Sequence, residues 1–459
     1  MATEPKEITY SSAIIATVPA ILALIAASQF GLPLQIPFIF GIFLSGFIGV
    51  RLGYHWTQIE SAAISGMGQS SFAILILLLI GATIGIWMAA GIIPTFVFYG
   101  LQWLSPHLFL GETFFLTFIM ALVTGSDAAA FGTIGIALLG LGTALGISTP
   151  IIAGTITSGG MAGHLTSPLS DLSILAIGKN GGQLSKLIRL LLRRAIPAFL
   201  ISEVLYLLYG TVVLKNNTLP DVSYLRDGLQ SIFQISPWLF LPVVVLFLLI
   251  LIRVPIIPAL GVNLLFSSAI AMKVQGLSFI SVIQAMSFGY TTNQNSLLGQ
   301  ILTRGGAINF GNVVELMLLA SAWASTMERI GVIKLILKSL MNWKMFQGKI
   351  NALGTLLGTL ISAMTCAIIP AILVPSSFIK EKYLAVGWQS EHLSKDLIEG
   401  SFAIAGLVPW SNMNFLVLGT LGIGAFQTTP YNFFPIILLL VAFISGFSRK
   451  QNGLMKRSD

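Results

Sequence analysis

Charge is what this sequence has least of. Only 9% of its 459 residues are Asp, Glu, Lys or Arg, where a soluble domain carries about 25%. A mean hydropathy of +0.91 points to an all-α polytopic integral membrane protein whose main partner is the lipid bilayer. Cysteine is reduced to one residue, Cys366, which excludes an internal disulfide and a cysteine-based metal cluster. The four histidines show no zinc-type spacing, so neither redox chemistry nor a cofactor is expected. A Gly-rich loop ending in Lys and Ser or Thr is missing too, which disfavours an ATP-driven pump. The start of the chain lacks a basic cluster, and no small-residue cleavage pattern follows Gln29. The first apolar stretch therefore reads as a retained helix rather than a signal peptide.

A formal charge of +8 raises the question of nucleic acid, but its distribution argues against that partner. Basic residues gather at Lys179, Lys186, Arg189, Arg193 and Arg194, at 334–349, and in the tail at Arg449, Lys450, Lys456 and Arg457. Short basic loops beside apolar spans are the positive-inside pattern of cytoplasmic segments. The expectation is a multi-pass protein of the cell membrane with a cytoplasmic C-terminus, a homodimer being left open.

Apolar stretches near 20 residues can cross a bilayer. On that basis about eleven crossings are expected, at 11–29, 33–50, 71–90, 110–124, 133–147, 195–213, 236–252, 255–273, 313–333, 352–374 and 431–448. Amphipathic connectors are expected at 51–70, 93–106, 276–310 and 376–396. Two further segments, 150–178 and 397–424, are apolar yet interrupted by polar residues, and read as broken or re-entrant hairpins. Irregular backbone at membrane depth is tolerated only where it is buried in protein or lines a watery cavity. In transporters it marks the binding site.

A weak internal repeat accompanies them. Gly91-Ile92-Ile93 recurs as Gly331-Val332-Ile333, and Pro168-Leu169-Ser170-Asp171 as Pro409-Trp410-Ser411-Asn412, at offsets of 240 and 241. The basic stretch follows the first broken segment directly, but follows the second only after another span. That asymmetry predicts an inverted repeat, with halves at 33–194 and 255–448 inside a single transmembrane domain.

Ionisable residues near the centre of a span cost at least ~2.5 kcal/mol and are functional candidates by default. The candidates are Asp127, His164, Asp171, Glu203, Glu315, Glu328 and Glu399. Asp171 lies in SPLSDLS, after Pro168 and among Thr166, Ser167, Ser170 and Ser173. Proline frees a backbone carbonyl, and an all-oxygen environment suits a hard cation such as Na+. The plainer alternative is a carboxylate capping the helix that follows. Asp127 sits in TGSDAAAFGTIG, where small residues admit either close helix packing or an ion. His164 titrates near neutrality, or is simply hydrogen-bonded into the helix break. In the second hairpin, Glu399, Ser411 and Asn412 are the counterparts, and Trp410 is expected to be interior. Asp171, Asp127 and Ser170 are the expected cation ligands, with Asp127 also the expected proton-linked carboxylate, and Ser167, Thr166, His164, Glu399, Ser411 and Asn412 are expected to assist cation or proton binding.

Several stretches together resemble the NhaC-type Na+/H+ antiporter family of the ion transporter superfamily. They are GATIGIWMAAGIIPTFVFYGLQWLSP at 81–106, TG…GTIGIALLGLG at 124–142, SPLSD…LA at 167–176, LTRGGAINF at 302–310 and LVPWSN…LGTLGI…PYNFF at 407–434. The resemblance implies exchange of cytoplasmic Na+ for external protons, and in some relatives coupling to malate and lactate. The chain departs from the family at its ion-site motifs. GDKMSPLSDT becomes Gly163-His164-Leu165-Thr166-Ser167-Pro168-Leu169-Ser170-Asp171-Leu172, and Thr-Ser-Trp-Gly-Thr becomes Ser126-Asp127-Ala128-Ala129-Ala130. A carboxylate is thus lost at 164 and gained at 127. The expected mechanism is competition of cation and proton for one carboxylate site. The alternatives are a Na+- or H+-coupled exchanger of a small organic anion or amino acid, with Arg253 and Arg304 as its cationic candidates, and, more distantly, a passive ion channel. An enzyme is not expected.

Overall fold

The computed structural model describes residues 5–103, 107–215, 222–252, 254–291, 305–341, 344–346 and 349–448. These residues form helices joined by short turns, with no β-strand among them. Among the described residues, five helices are long and apolar enough to cross a membrane, or eight if each of three bent pairs is one span. The expected eleven is approached only by adding shorter apolar helices such as Gln35–Arg51, Phe109–Thr124 and Ile350–Thr365. The helix Leu184–Lys215 shows how lipid-facing and inward faces divide. Leu200, Val204, Leu208 and Val212 are exposed, while Ser202 and Tyr206 are buried, the i, i+4 stripe of a bilayer-facing helix.

Six helix starts recur at a nearly constant spacing. Ser71–Ala89, Ile92–Trp103 and Phe109–Thr124 are followed by Asp127–Ala144, Thr149–Thr166 and Asp171–Asn180. Gly311–Arg329, Val332–Met341, Ile350–Thr365, Ile368–Ala385, Ser390–Ala405 and Asn412–Leu421 begin 240 or 241 residues later in the same order. In each set an interrupted crossing helix (109–144 and 350–385) is followed by a hairpin (149–180 and 390–421).

The agreement reaches the backbone of the breaks. Phe109–Thr124 ends on Gly125 in the left-handed region at φ 68°, a conformation that side chains resist. Ile350–Thr365 ends 241 residues later on Cys366 at φ 59°, the one non-glycine with positive φ among the described residues. Thr124 Oγ1 donates to the carbonyls of Met120 and Ser126, as Thr365 Oγ1 does to those of Ile361 and Ala367. Beyond the break, the first crossing helix contains a π-helical turn at Phe131–Gly135, and the second carries Pro375 within its helix at the position matching Ile134. Either device interrupts regular α-helical bonding. Hairpin and crossing helix approach closely in both sets. A side chain on Gly159 would strike the Phe114 carbonyl, and one on Gly400 the Thr355 carbonyl.

Two expectations need correction. The span at 352–374 is two helices, because Cys366 and Ala367 interrupt it. Arg194 is not in a basic loop. The helix from Leu184 runs through it, and its side chain is buried where carboxylates balance it.

Candidate functional site

The first break and the first hairpin tip lock together. Ser167 Oγ donates to the Leu122 carbonyl at 2.7 Å and accepts from the Leu169 N–H at 3.1 Å. Leu169 in turn lies directly over Gly125, so that a β-carbon there would meet its backbone. Asp127 is the first residue of the helix after one break, and Asp171 the first after the other. Each spends one oxygen on the first turn of its own helix: Asp127 Oδ1 accepts from Ala128 N–H at 2.7 Å, and Asp171 Oδ1 from Leu172 N–H at 2.8 Å. The N-cap positions belong to Ser126 and Ser170, and each aspartate keeps a second oxygen.

His164 stands between them. Its Nε2 lies 2.9 Å from Asp171 Oδ1 and its Nδ1 3.0 Å from Asp127 Oδ2. The Nδ1 contact is off the N–H direction, so it is a charge contact more than an aligned hydrogen bond. Phe402 of the second hairpin covers the ring edge-on, centroid to centroid 5.3 Å. Exposure runs in one direction across the group. Asp171 is 77% exposed, while His164 and Asp127 are 7% and 10%. A neutral imidazole has one N–H and can donate to only one carboxylate, whereas the imidazolium can serve both. The centre thus carries two negative charges and, when protonated, one positive.

The other expected residues fall into distinct places. Thr166 Oγ1 donates along its own helix to the Ala162 carbonyl at 2.8 Å, and Ser167 is the strut already described. Ser170 caps nothing: its Oγ is buried without a partner, as is that of Ser173 one turn further on. Ser173 was not among the expected ligands, although the S-D-L-S spacing already put it on the same helix face as Ser170. In the second hairpin, Ser411 Oγ donates to the Ala405 carbonyl at 2.5 Å and caps Asn414 N–H at 3.1 Å. Asn414 Nδ2 also reaches the carbonyls of Ala405 and Val408. Asn412 N–H donates to Cys366 at 2.8 Å, and its side-chain oxygen is buried without a partner. Trp410 is interior, its indole N–H on the Ala363 carbonyl at 2.9 Å.

Glu399 does not join the histidine centre. It pairs with Arg194, which also reaches Asp396 at 3.2 Å. Asp396 is held in addition by Lys395 at 2.8 Å, Asn351 at 2.8 Å and Tyr383 at 3.0 Å. The counter-charge of Arg194 explains the difference, since a buried carboxylate goes to the nearest buried cation. Arg253 and Arg304 lie outside the described residues.

Interrupted helices that bring buried ionisable groups together inside a helical membrane protein define a secondary transporter. The comparisons place it further. The profile of the Na+/H+ antiporter family matches residues 181–448, and the chain belongs to that family. It is 31% identical to Na(+)/H(+) antiporter NhaC of Alkalihalophilus pseudofirmus, across 95% of this chain and 96% of that protein. It is 29% identical to the Malate-2H(+)/Na(+)-lactate antiporter of Bacillus subtilis, across 91% and 90%. With the arginine/ornithine antiporter ArcD of Halobacterium salinarum it shares 28% identity across 91% and 87%.

Proposed function

We propose that the protein exchanges Na+ for protons at the Asp127–His164–Asp171 centre, the two ions competing for the same pair of carboxylates. The observation that carries this reading is the bridging imidazole, 2.9 and 3.0 Å from the two carboxylates. Protonated His164 occupies the place between them as a tethered cation. Loss of its proton leaves two carboxylates and the spare hydroxyls of Ser170 and Ser173, an oxygen set that suits Na+. Exchanging one proton for one Na+ keeps the centre at a net charge of −1, so neither state leaves two unbalanced carboxylates. Na+ enters past Asp171, the exposed member, and Asp127 holds it from the protected side.

The same reading treats the two sets of helices as an inverted duplication, with halves at 33–194 and 255–448. The constant spacing of helix starts and the placement of Lys179, Lys186, Arg189 and Arg193 at and beyond the end of the first hairpin support it. The positive-inside pattern of these basic residues supports a cytoplasmic placement of that end, and of the C-terminus, in the cell membrane. An inorganic cation is favoured over an organic anion as cargo. Among the described residues, Arg194 and Lys395, buried cations of the kind that would hold an anion, already face Asp396 and Glu399.

The test is proton movement in proteoliposomes loaded with a pH dye, challenged with Na+, Li+, K+, malate and arginine in turn. Na+ is expected to drive proton flux in the wild type, and Asp171→Asn to abolish it. Undiminished Na+-driven flux in Asp171→Asn, or flux driven only by an organic substrate, refutes the assignment.

A further inference from the structure

The two sets of helices do not carry matching charge. Where the first set has Asp127, His164 and Asp171, the second has Ile368, Ala405 and Asn412. Where the second has Lys395, Asp396 and Glu399, the first has Gly154, Thr155 and Ser158. Both positions do the same structural job, tying a hairpin helix to a long helix behind it. On one side the tie is neutral: Phe434 N–H reaches Ser158 Oγ at 3.4 Å, and Tyr206 OH joins Ser158 Oγ at 2.7 Å and the Tyr431 carbonyl at 2.6 Å. On the other side it is ionic, through Arg194 to Glu399 and Asp396.

The neutral version shows that the fold does not require ions at this junction. Buried charges cost several kcal/mol each to desolvate, and intramembrane charges mark ion pathways. Within the ionic junction the partners are unevenly shared. Asp396 has four, namely Arg194, Lys395, Asn351 and Tyr383, while Glu399 bonds to Arg194 alone among the described residues and meets Lys395 only as a nearby charge. Glu399 is fully buried, and among the described residues its Oε1 has no hydrogen-bond partner, nor has Arg194 Nη2. One helical turn along from Glu399, Phe402 rests on the ring of His164. The helix that carries Glu399 thus touches the histidine centre through Phe402.

We propose that Arg194 and Glu399 form a second, proton-carrying centre of the transport cycle, with Glu399 Oε1 as the atom that takes the proton. This rests on the Na+/H+ reading. Protonation converts the carboxylate to a carboxylic acid, forming one O–H bond, and Arg194 keeps Asp396 as its partner. The four ionisable groups of the junction then pass from balanced charge to one net positive charge. Added to the one-for-one exchange at His164, the cycle moves two protons against one Na+ and carries one charge across the membrane.

The experiment uses the full chain in proteoliposomes, with the membrane potential clamped by K+ and valinomycin, and finds the Na+ gradient at which proton flux stops. In the wild type that gradient is expected to shift about tenfold for each ~60 mV of potential, the slope for one charge per cycle. Glu399→Gln is expected to keep exchanging with a null gradient independent of potential, and Glu399→Asp to restore the slope. A wild-type null gradient that ignores potential overturns the proposal, and so does a Glu399→Gln variant that keeps the wild-type slope. If Glu399→Gln fails to fold, the wild-type slope alone decides, one charge supporting the second proton and none refuting it. Absence of any Na+-linked proton flux in the wild type removes the antiport reading, and this inference with it. Exchange that is intact but electroneutral removes only the second centre.

Discussion

Replacing His164 by glutamine separates the tethered-cation mechanism from a purely structural histidine. At the 3.0 Å separation from Asp127, an effective dielectric of about 20 gives an attraction of about 5 kcal/mol. Asp171, with its side chain 77% exposed, is screened by solvent and adds about 1 kcal/mol or less. His164 is therefore held mainly by Asp127. Desolvation offsets part of that attraction, and breaking a buried pair typically costs a net 3–5 kcal/mol. His164→Gln is expected to lose about 3 kcal/mol of stability in Na+-free buffer. Na+ at about a hundred times its dissociation constant restores up to about 2.7 kcal/mol. The assays are thermal unfolding in detergent with and without Na+, and Na+-driven flux against pH. In the wild type, a proton on His164 excludes Na+, so apparent Na+ affinity falls as pH falls, by up to about tenfold for each unit. His164→Gln is expected to flatten that dependence near neutrality. A variant that keeps the wild-type slope, and gains no stability from Na+, refutes the idea that His164 holds the cation's place.

Other substitutions probe individual links. Asp171→Asn, the variant expected to abolish Na+-driven flux, is expected to change stability by less than about 1 kcal/mol in thermal unfolding, because the side chain is exposed. Gly125→Ala forces a β-carbon onto the Leu169 backbone at φ 68°, and is expected to destabilise by about 1–3 kcal/mol in thermal or urea unfolding. Ser167→Ala removes the donor that reaches the Leu122 carbonyl. A loss of about 1–2 kcal/mol and reduced flux are expected, with the pH dependence unchanged.

Much of the centre could be read in the sequence, since a carboxylate, a histidine and hydroxyls inside an apolar stretch have few innocent explanations. Both broken segments, the candidacy of Asp171, Asp127 and His164, and the interior place of Trp410 came from that reasoning. Partnership did not. Glu399 and Arg194 lie 205 positions apart, and nothing local tells a buried arginine from the basic residues that precede it. The break at Cys366 was hidden because cysteine carries no turn signal, whereas Gly125 at the matching place does. Short helices such as Asn412–Leu421 blurred the span count, because half-crossings are apolar enough to look like pieces of full ones.

The Leu122 carbonyl and its counterpart 241 positions later, that of Ala363, have a further consequence. One is met by a serine hydroxyl from Ser167, the other by the indole of Trp410. A small residue on the chain's way into the tip and a large one further along it reach the same anchor. The two anchors accept different donors, a hydroxyl and an indole N–H, while the wiring stays the same. Alignment of the two sets of helices by letters alone therefore understates their structural similarity, and alignment by which backbone oxygen is satisfied recovers it. Variants that swap donors between the halves would measure how much of this architecture is carried by the backbone itself.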